Sequence, residues 1–255
     1  MLHHLVHSHY DLTVIVPVFN EEESLPRLYE ALREYQRKCS VKVCFLVVND
    51  GSEDRSLTII KENSNALHGF FYISLVSRCG LTGALKAGFE HTQTKWAGYI
   101  DADLQTFPDD FELLLARRHE GDLICGIRAR RSDSLSKRIQ SRLANKIRNA
   151  ITHDGMSDTN CPLKIIKSDL ARSLPLFSGM HRFLPALTLL TGHKVVAVKV
   201  RHQQRYHGKS KFNFFNRAFS GACDLLAFIW MRSRYTAPVA GDNNLACAVP
   251  PKKQQ

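Results

Sequence analysis

The sequence predicts an α/β domain: a mostly parallel sheet with helices on both faces. Three observations carry this. Short apolar runs rich in β-branched residues alternate with amphipathic helical stretches through residue 100. That alternation marks parallel strands joined by helical crossovers. The runs are continuously apolar rather than alternating in polarity, as strands buried on both faces are. The chain of 255 residues, 44% hydrophobic and 23% charged, has ordinary globular composition and length enough for one large α/β domain.

Residues 1–10, MLHHLVHSHY, hold four histidines but no continuous apolar core, so they read as a flexible polar leader and not a secretory signal. Asp11–Val18 is the first strand, followed by a loop over Phe19–Ser24. Leu25–Arg37 reads as a helix, because Leu25, Leu28, Leu32 and Tyr35 recur at helical spacing and Pro26 sits in the first turn. Val41–Val48 is the second strand and runs into Asn49-Asp50-Gly51-Ser52. Asp54–Asn63 is the second helix, Gly69–Val76 the third strand and Leu81–Thr92 the third helix. Trp96–Ile100 is the fourth strand, ended by a loop that Pro108 breaks. Glu120–Gly126 is a further strand. Lys137–Ile151 is a helix with Ile139, Leu143, Ile147 and Ile151 every four residues. Val195–Val200 is the last clear strand.

In a parallel sheet the loops after the strands fall on one edge, where open α/β folds bind ligands. Three of these loops carry acid or amide groups: Asn20 with Glu21, Asn49 with Asp50, and Asp101 with Asp103. A bare D-x-D is more often a pair of solvated turn aspartates than a site. Three such loops on one edge weigh the other way. Two hard oxygen donors close together suit Mg²⁺ or Mn²⁺ that also holds a diphosphate. A dinucleotide fingerprint requires G-x-G-x-x-G after the first strand, and the loop here, P-V-F-N-E, has no glycine. No P-loop pattern occurs either: Gly208-Lys209-Ser210 lacks the upstream glycine.

Lys and Arg number 35 against 24 Asp and Glu, a formal net charge of +11. Such a surplus favours an anionic partner: nucleic acid, an anionic membrane surface or a phosphorylated substrate. The sequence lacks the interleaved aromatic and basic residues of RNA-binding sheets, so nucleic acid is the least favoured of the three. Seven cysteines (Cys39, Cys44, Cys79, Cys125, Cys161, Cys223 and Cys247) form no C-x-x-C pair and fit a reducing cytoplasm.

Five ordered stretches carry a family resemblance: VIVPVFNEEESLP at 14–26, VNDGSEDRS at 48–56, YIDADLQTFPDD at 99–110, GMHRFLPAL at 179–187 and RYHGKSK at 205–211. The first three resemble the family 2 glycosyltransferases. The last two resemble the branch of dolichol-phosphate mannose synthase and the bacterial polyprenyl-phosphate glycosyltransferases. The resemblance covers residues 11–234 and implies a nucleotide-diphospho-sugar transferase (GT-A) fold. It implies a metal-dependent, inverting transfer of a sugar from a UDP- or GDP-linked donor to a polyprenyl phosphate. Transfer to a sugar hydroxyl of an envelope polysaccharide is the alternative.

The resemblance also implies roles. Pro17, Asn20, Glu21 and Asp50 would border the nucleotide, with Asp50 accepting from the base. Asp101, Asp103 and Gln105 would hold Mg²⁺ or Mn²⁺, Asp101 being shared between metal and ribose. Arg205 and Lys209 would belong to a mobile loop closing over the donor diphosphate. Arg128, Arg131 and Arg138 would cradle the acceptor phosphate; from Arg128 to Arg148 eight basic residues stand against one acid, Asp133. Asp158 would be a catalytic or acceptor-orienting carboxylate, beside Asn160 where relatives carry glycine. Met180–Phe183 reads either as part of the site or as a helix start packing Phe183 and Leu184 inward.

Phe212–Arg234 is rich in aromatic and aliphatic residues, is bracketed by basic ones, and holds Asp224. Its apolar core is too short to span a bilayer and reads as an amphipathic helix at an anionic membrane interface, with core packing as the alternative. Residues 235–255 read as a disordered tail. The expected organisation is a leader over 1–10, a catalytic domain over 11–211, the interface helix over 212–234, and the tail. The expected setting is the cytoplasmic face of a membrane.

Overall fold

The computed structural model describes residues 9–129, 145–203 and 214–236, with the backbone alone for 214–219. Seven strands form one sheet: β1 (Leu12–Val18), β2 (Val43–Asn49), β3 (Phe70–Ser74), β4 (Trp96–Tyr99), β5 (Leu123–Arg128), β6 (Lys164–Lys167) and β7 (Val195–Val200). Their order across the sheet is β3-β2-β1-β4-β6-β5-β7. β6 runs antiparallel to both β4 and β5, and the remaining pairs are parallel. The helices are α1 (Leu25–Lys38), α2 (Ser56–Ala66), α3 (Gly80–His91), α4 (Phe111–Ala116), α5 (residues 145–152), α6 (Ser168–Ser173), α7 (Leu184–Leu190) and α8 (Phe214–Arg234).

The mostly parallel α/β sheet expected from the sequence is the observed one. Side chains alternate across each strand, and both faces are covered. Leu12, Val14, Val16 and Val18 of β1 join Val43, Phe45 and Val47 of β2 in one core layer. Helix α1 closes that layer with Leu25, Leu28, Tyr29, Leu32 and Tyr35, its fully buried stripe at helical spacing. Ile15, Leu46, Val48, Ala97 and Tyr99 face the other way, against Ala84, Leu85 and Phe89 of α3. Gly88 permits that close approach: a Cβ there would stand 2.6 Å from Ile15 Cγ2. Gly88→Ala therefore forces α3 off β1.

Two elements differ from expectation. Lys164–Lys167, to which the sequence reading assigns no element, is the antiparallel strand β6. Four residues carry no readable period, and pairing with two neighbours makes the strand. The fifth strand begins later and ends later than expected. Asp122 is spent in the turn, accepting the Lys194 N–H at 2.9 Å, while Arg128 pairs in register with Val200.

Helix α8 has one packed and one exposed face. Phe228 is buried and stacked on Phe183, ring centroids 5.4 Å apart, and Leu225 and Met231 pack beside it. Leu226 and Trp230 on the outer side are 66% and 67% exposed. Among the described residues no helix is long and apolar enough to cross a membrane.

Candidate active site

The site lies where the strands' C-terminal ends meet, and it is built loop by loop. β2 and β1 stay paired to their ends, and the Asp50 N–H still donates to the Val18 carbonyl at 2.8 Å. The chain then turns sharply at Gly51, φ +68°, where a Cβ would stand 2.9 Å from the Arg78 nitrogen. Asp50 is thereby aimed at the β3–α3 loop. Its Oδ1 accepts the Cys79 N–H at 2.6 Å and its Oδ2 the Gly80 N–H at 2.9 Å. A carboxylate on the first amides of α3 also complements the helix dipole. Next to it the Arg78 guanidinium lies 3.9 Å above the Phe19 ring, a flat cation–π pair.

The β1–α1 loop is braced against the same region. Asn20 adopts φ 53°, and its Oδ1 accepts the Glu53 N–H at 2.8 Å. The Glu21 N–H donates to Ser56 Oγ at 2.9 Å, and Glu21 Oε2 accepts from Ser24 Oγ at 2.9 Å. Glu22 accepts the Arg55 N–H at 3.0 Å and helps to start α2.

At the end of β4, Tyr99 donates its hydroxyl to Asp101 Oδ1 at 2.6 Å. Burial, then the Asp101 charge, push the Tyr99 phenol well above its ordinary value, so it stays a donor. Asp103 Oδ1 accepts the Gln105 N–H at 3.1 Å. Leu104 between them holds φ 55°, a left-handed conformation rare for a leucine. Asp101, Asp103 and Gln105 are half-buried while Ala102 and Leu104 point inward. Among the described residues no cluster of three or more His, Cys, Asp or Glu forms a closed metal cage. Two carboxylates without a cage are the donor set for Mg²⁺ or Mn²⁺ that completes its shell with diphosphate and water.

A strap from β7 holds this loop. The Arg201 N–H and Nε donate to Asp110 at 2.6 and 2.7 Å, and its guanidinium lies 4.4 Å from the Phe107 ring. The Gln203 side chain donates to the Leu104 carbonyl at 2.7 Å, and its N–H to the Gln105 carbonyl at 3.0 Å. The chain thus leaves for the 204–211 segment from beside the D-x-D. Arg205 and Lys209 themselves lie outside the described residues, as do Arg131 and Arg138.

A cavity of about 560 Å³ opens between these loops. Pro17, Glu21, Asp50 and Asp101 line it, so four of the five expected nucleotide residues in the described part converge there. Asn20, Asp103 and Gln105 do not line it: Asn20 is a brace, and the other two sit on the loop beside it. Lys164, Thr82, His181 and Arg182 also line it. The Thr82 hydroxyl stands 2.7 Å from His181 Nδ1 and accepts the Gly179 N–H at 3.2 Å. Burial, then Arg182 and Lys164, depress the His181 pKa to about 3, so its imidazole is neutral near pH 7. In 180–184 Phe183 and Leu184 pack inward, while His181 and Arg182 line the cavity.

One pair corrects the sequence reading. Arg128 forks onto Asp158, Nε to Oδ2 at 2.6 Å and one terminal nitrogen to Oδ1 at 2.8 Å, with both side chains largely buried. Neither lines the cavity. A carboxylate clasped this way is a poor proton acceptor for substrate, and the clasped guanidinium is not an open phosphate ligand. The pair ties the end of β5 to the 153–163 loop. Asn160, at the position where relatives carry glycine, does not have positive φ; His153 in the same loop does, at 52°.

The sequence reading passed over Phe19, Arg78 and Thr82. The available signal was Ser77-Arg78-Cys79-Gly80, a fourth polar loop directly after a strand. A larger cleft, about 1120 Å³, lies at the opposite edge of the sheet, lined by Lys42, Lys95, Lys167 and Lys194 among others. It holds none of the strand-end motifs.

The fold has solved counterparts. Glucosyl-3-phosphoglycerate synthase from Mycobacterium tuberculosis, in complex with Mn²⁺, uridine-diphosphate and glucosyl-3-phosphoglycerate, is similar with a TM-score of 0.65 at 14% identity, over 94% of this chain and 85% of that one. The same enzyme with Mg²⁺ and uridine-diphosphate gives 0.66 at 14% identity, over 94% and 84%. Mannosyl-3-phosphoglycerate synthase from Rubrobacter xylanophilus gives 0.67 at 14% identity, over 93% and 80%. At this identity the likeness concerns the fold, a GT-A sheet. Residues 13–174 match the sequence profile described as Glycosyl transferase family 2, and the chain belongs to that family.

Proposed function

We propose that this chain transfers a hexose from a nucleoside-diphosphate donor, UDP- or GDP-linked, to a polyprenyl phosphate, with inversion. The observation that carries the reading is one cavity, at the C-terminal edge of the sheet, bordered by both Asp50 and Asp101. Asp50 accepts from N–H donors on the base edge, and the Phe19–Arg78 pair offers the base a flat surface. Pro17 and Glu21 border the ribose. Tyr99 fixes Asp101 through its hydroxyl, so the carboxylate is oriented before substrate arrives. Asp101 and Asp103, with Gln105 beside them, would hold Mg²⁺ or Mn²⁺, which when bound neutralises charge developing on the leaving diphosphate. The Gln203 strap steadies that loop. Arg205 and Lys209, in the segment that starts at the strap, would close over the donor and exclude water.

The acceptor oxygen attacks the anomeric carbon from the face opposite the diphosphate; a new C–O bond forms as the donor C–O bond breaks. A phosphate acceptor is already ionised near neutral pH and needs no general base. The Arg128–Asp158 clasp favours such an acceptor over a sugar hydroxyl, since it occupies the carboxylate a base mechanism would use. Asp158 is then a positioning residue. The exposed Leu226 and Trp230 of α8, followed by Arg232 and Arg234, support contact with an anionic membrane surface on the cytoplasmic side. Ser220 of the same helix lines the cavity, which favours an acceptor delivered from that surface. A second reading is a soluble phosphate-bearing acceptor, favoured by the fold shared with the phosphoglycerate synthases.

A panel of radiolabelled nucleotide sugars, incubated with Mn²⁺ and polyprenyl phosphate or 3-phosphoglycerate, separates these. Metal-dependent label in the organic phase is the expected result. Label appearing only in an aqueous sugar-phosphate product would sink the lipid acceptor, and no transfer from any donor would sink the function.

A further inference from the structure

Lys164 opens β6, in register with Tyr99 of β4 and Cys125 of β5. The residue is 3% exposed, yet it lines the cavity. Its ammonium donates to the Cys161 carbonyl and lies 5.6 Å from the Tyr99 ring centroid. Among the described residues no carboxylate pairs with it. A buried ammonium without a counter-charge is costly, and burial normally comes with a paired anion. Arg182 lines the same cavity from the 180–183 turn and gives one terminal nitrogen to Asp224 at 3.1 Å. His181, next to Arg182 in the chain, is neutral, with Nδ1 engaged by Thr82. Both cations are close enough to act on its protonation. This group shares the cavity with Asp50 and the Phe19–Arg78 pair. It also adjoins Asp101, since Tyr99, opposite Lys164, carries its hydroxyl to that carboxylate.

We propose that Lys164 and Arg182, which line the cavity together with His181, form an anion subsite that takes the phosphate monoester of the glycosyl acceptor. This rests on the glycosyltransferase reading above, and it moves the acceptor anion away from Arg128. Two convergent cations suit a monoester better than one. Sharing the cavity with Asp101 brings the acceptor within reach of the donor's anomeric carbon, which an in-line displacement attacks on the face opposite the diphosphate. The ligand chemistry is the same whether the monoester heads a polyprenyl chain or a small soluble molecule.

The test is calorimetric titration of the full chain with 3-phosphoglycerate and, separately, with a short-chain polyprenyl phosphate in detergent. Each is run with and without saturating Mn²⁺ and UDP, on wild type, Lys164→Gln and Arg182→Gln. Arg182 is partly exposed, so its variant keeps the test open should Lys164→Gln unfold. Monoester affinity should fall at least about tenfold in each folded variant while the affinity for UDP with Mn²⁺ stays within about twofold. Whichever monoester binds wild type names the source of the phosphate. Failure of both to bind wild type, or equal affinity in wild type and both variants, overturns the subsite. A parallel loss of UDP affinity also overturns it, because Lys164 would then serve the donor diphosphate. If UDP with Mn²⁺ does not bind wild type, the glycosyltransferase reading falls, while the titrations without nucleotide still decide the subsite.

Discussion

The two edges of the sheet differ in a way that volume alone would misjudge. The cleft at the strands' N-terminal ends is about 1120 Å³, twice the roughly 560 Å³ of the cavity at the C-terminal ends. At the larger cleft, ion pairs are exposed: Lys167 meets Asp122 at 2.6 Å with its side chain 47% exposed, and Arg117 pairs with Glu120 in open solvent. At the smaller one Asp50, Thr82 and Lys164 are almost wholly buried and still face the cavity. Burying polar groups is costly unless they are matched, and at the second edge the fold carries that cost on the lining of a cavity. Parallel strands deliver four successive loops to that edge, together with the first amides of α3. The other edge receives helix ends and long lysines.

Four measurements press on this contrast. The largest effect belongs to the D-x-D. Asp103→Ala should reduce metal-dependent transfer by on the order of 10³-fold with the fold retained by circular dichroism. Activity near wild type would remove the metal from that edge. Next comes the clasp: Asp158→Ala strands the buried Arg128 and should cost about 3–5 kcal/mol in chemical denaturation. Replacing both partners by apolar residues should recover much of that loss. A small loss in the single variant would mean that the clasp is solvated.

The third measurement is of pH. Below its ordinary value of 6.5 the unfolded chain protonates His181, whereas the folded one does so only near 3. Stability should therefore fall as pH drops from 6.5 toward 3, with a slope of up to about 1.4 kcal/mol per pH unit from this group. His181→Gln should flatten that part of the curve, and overlapping curves for the two proteins would place the imidazole in water. The smallest effect is reserved for the other edge. Lys167→Ala removes a solvent-exposed pair and should cost about 0.2–1 kcal/mol, with transfer unchanged. A tenfold loss of transfer there would overturn the division between the edges.

Much of the C-terminal edge was legible before any coordinates. Glycine, proline and acid positions name the loops, and apolar periods name the strands they follow. Asp50, Asp101 and Glu21 were found that way. Phe19 and Arg78 escaped because an aromatic and a cation in separate loops, 59 positions apart in sequence, leave no local signal that they stack. Arg128 and Asp158 were each read as open to substrate, since a basic run and an isolated acid look solvated until the fold presses them together. β6 escaped because its four residues gain strand character from their neighbours alone.

The sequence by itself determined the α/β class, the family and the three acid-bearing loops, because these depend on short-range periodicity and on motifs with fixed spacing. The tertiary structure alone decided which charges neutralise one another and which remain to meet a ligand. That sorting depends on distance and desolvation between residues far apart in the chain. It clasped Arg128 to Asp158 in the interior and left the buried Lys164 lining the cavity with no carboxylate partner among the described residues.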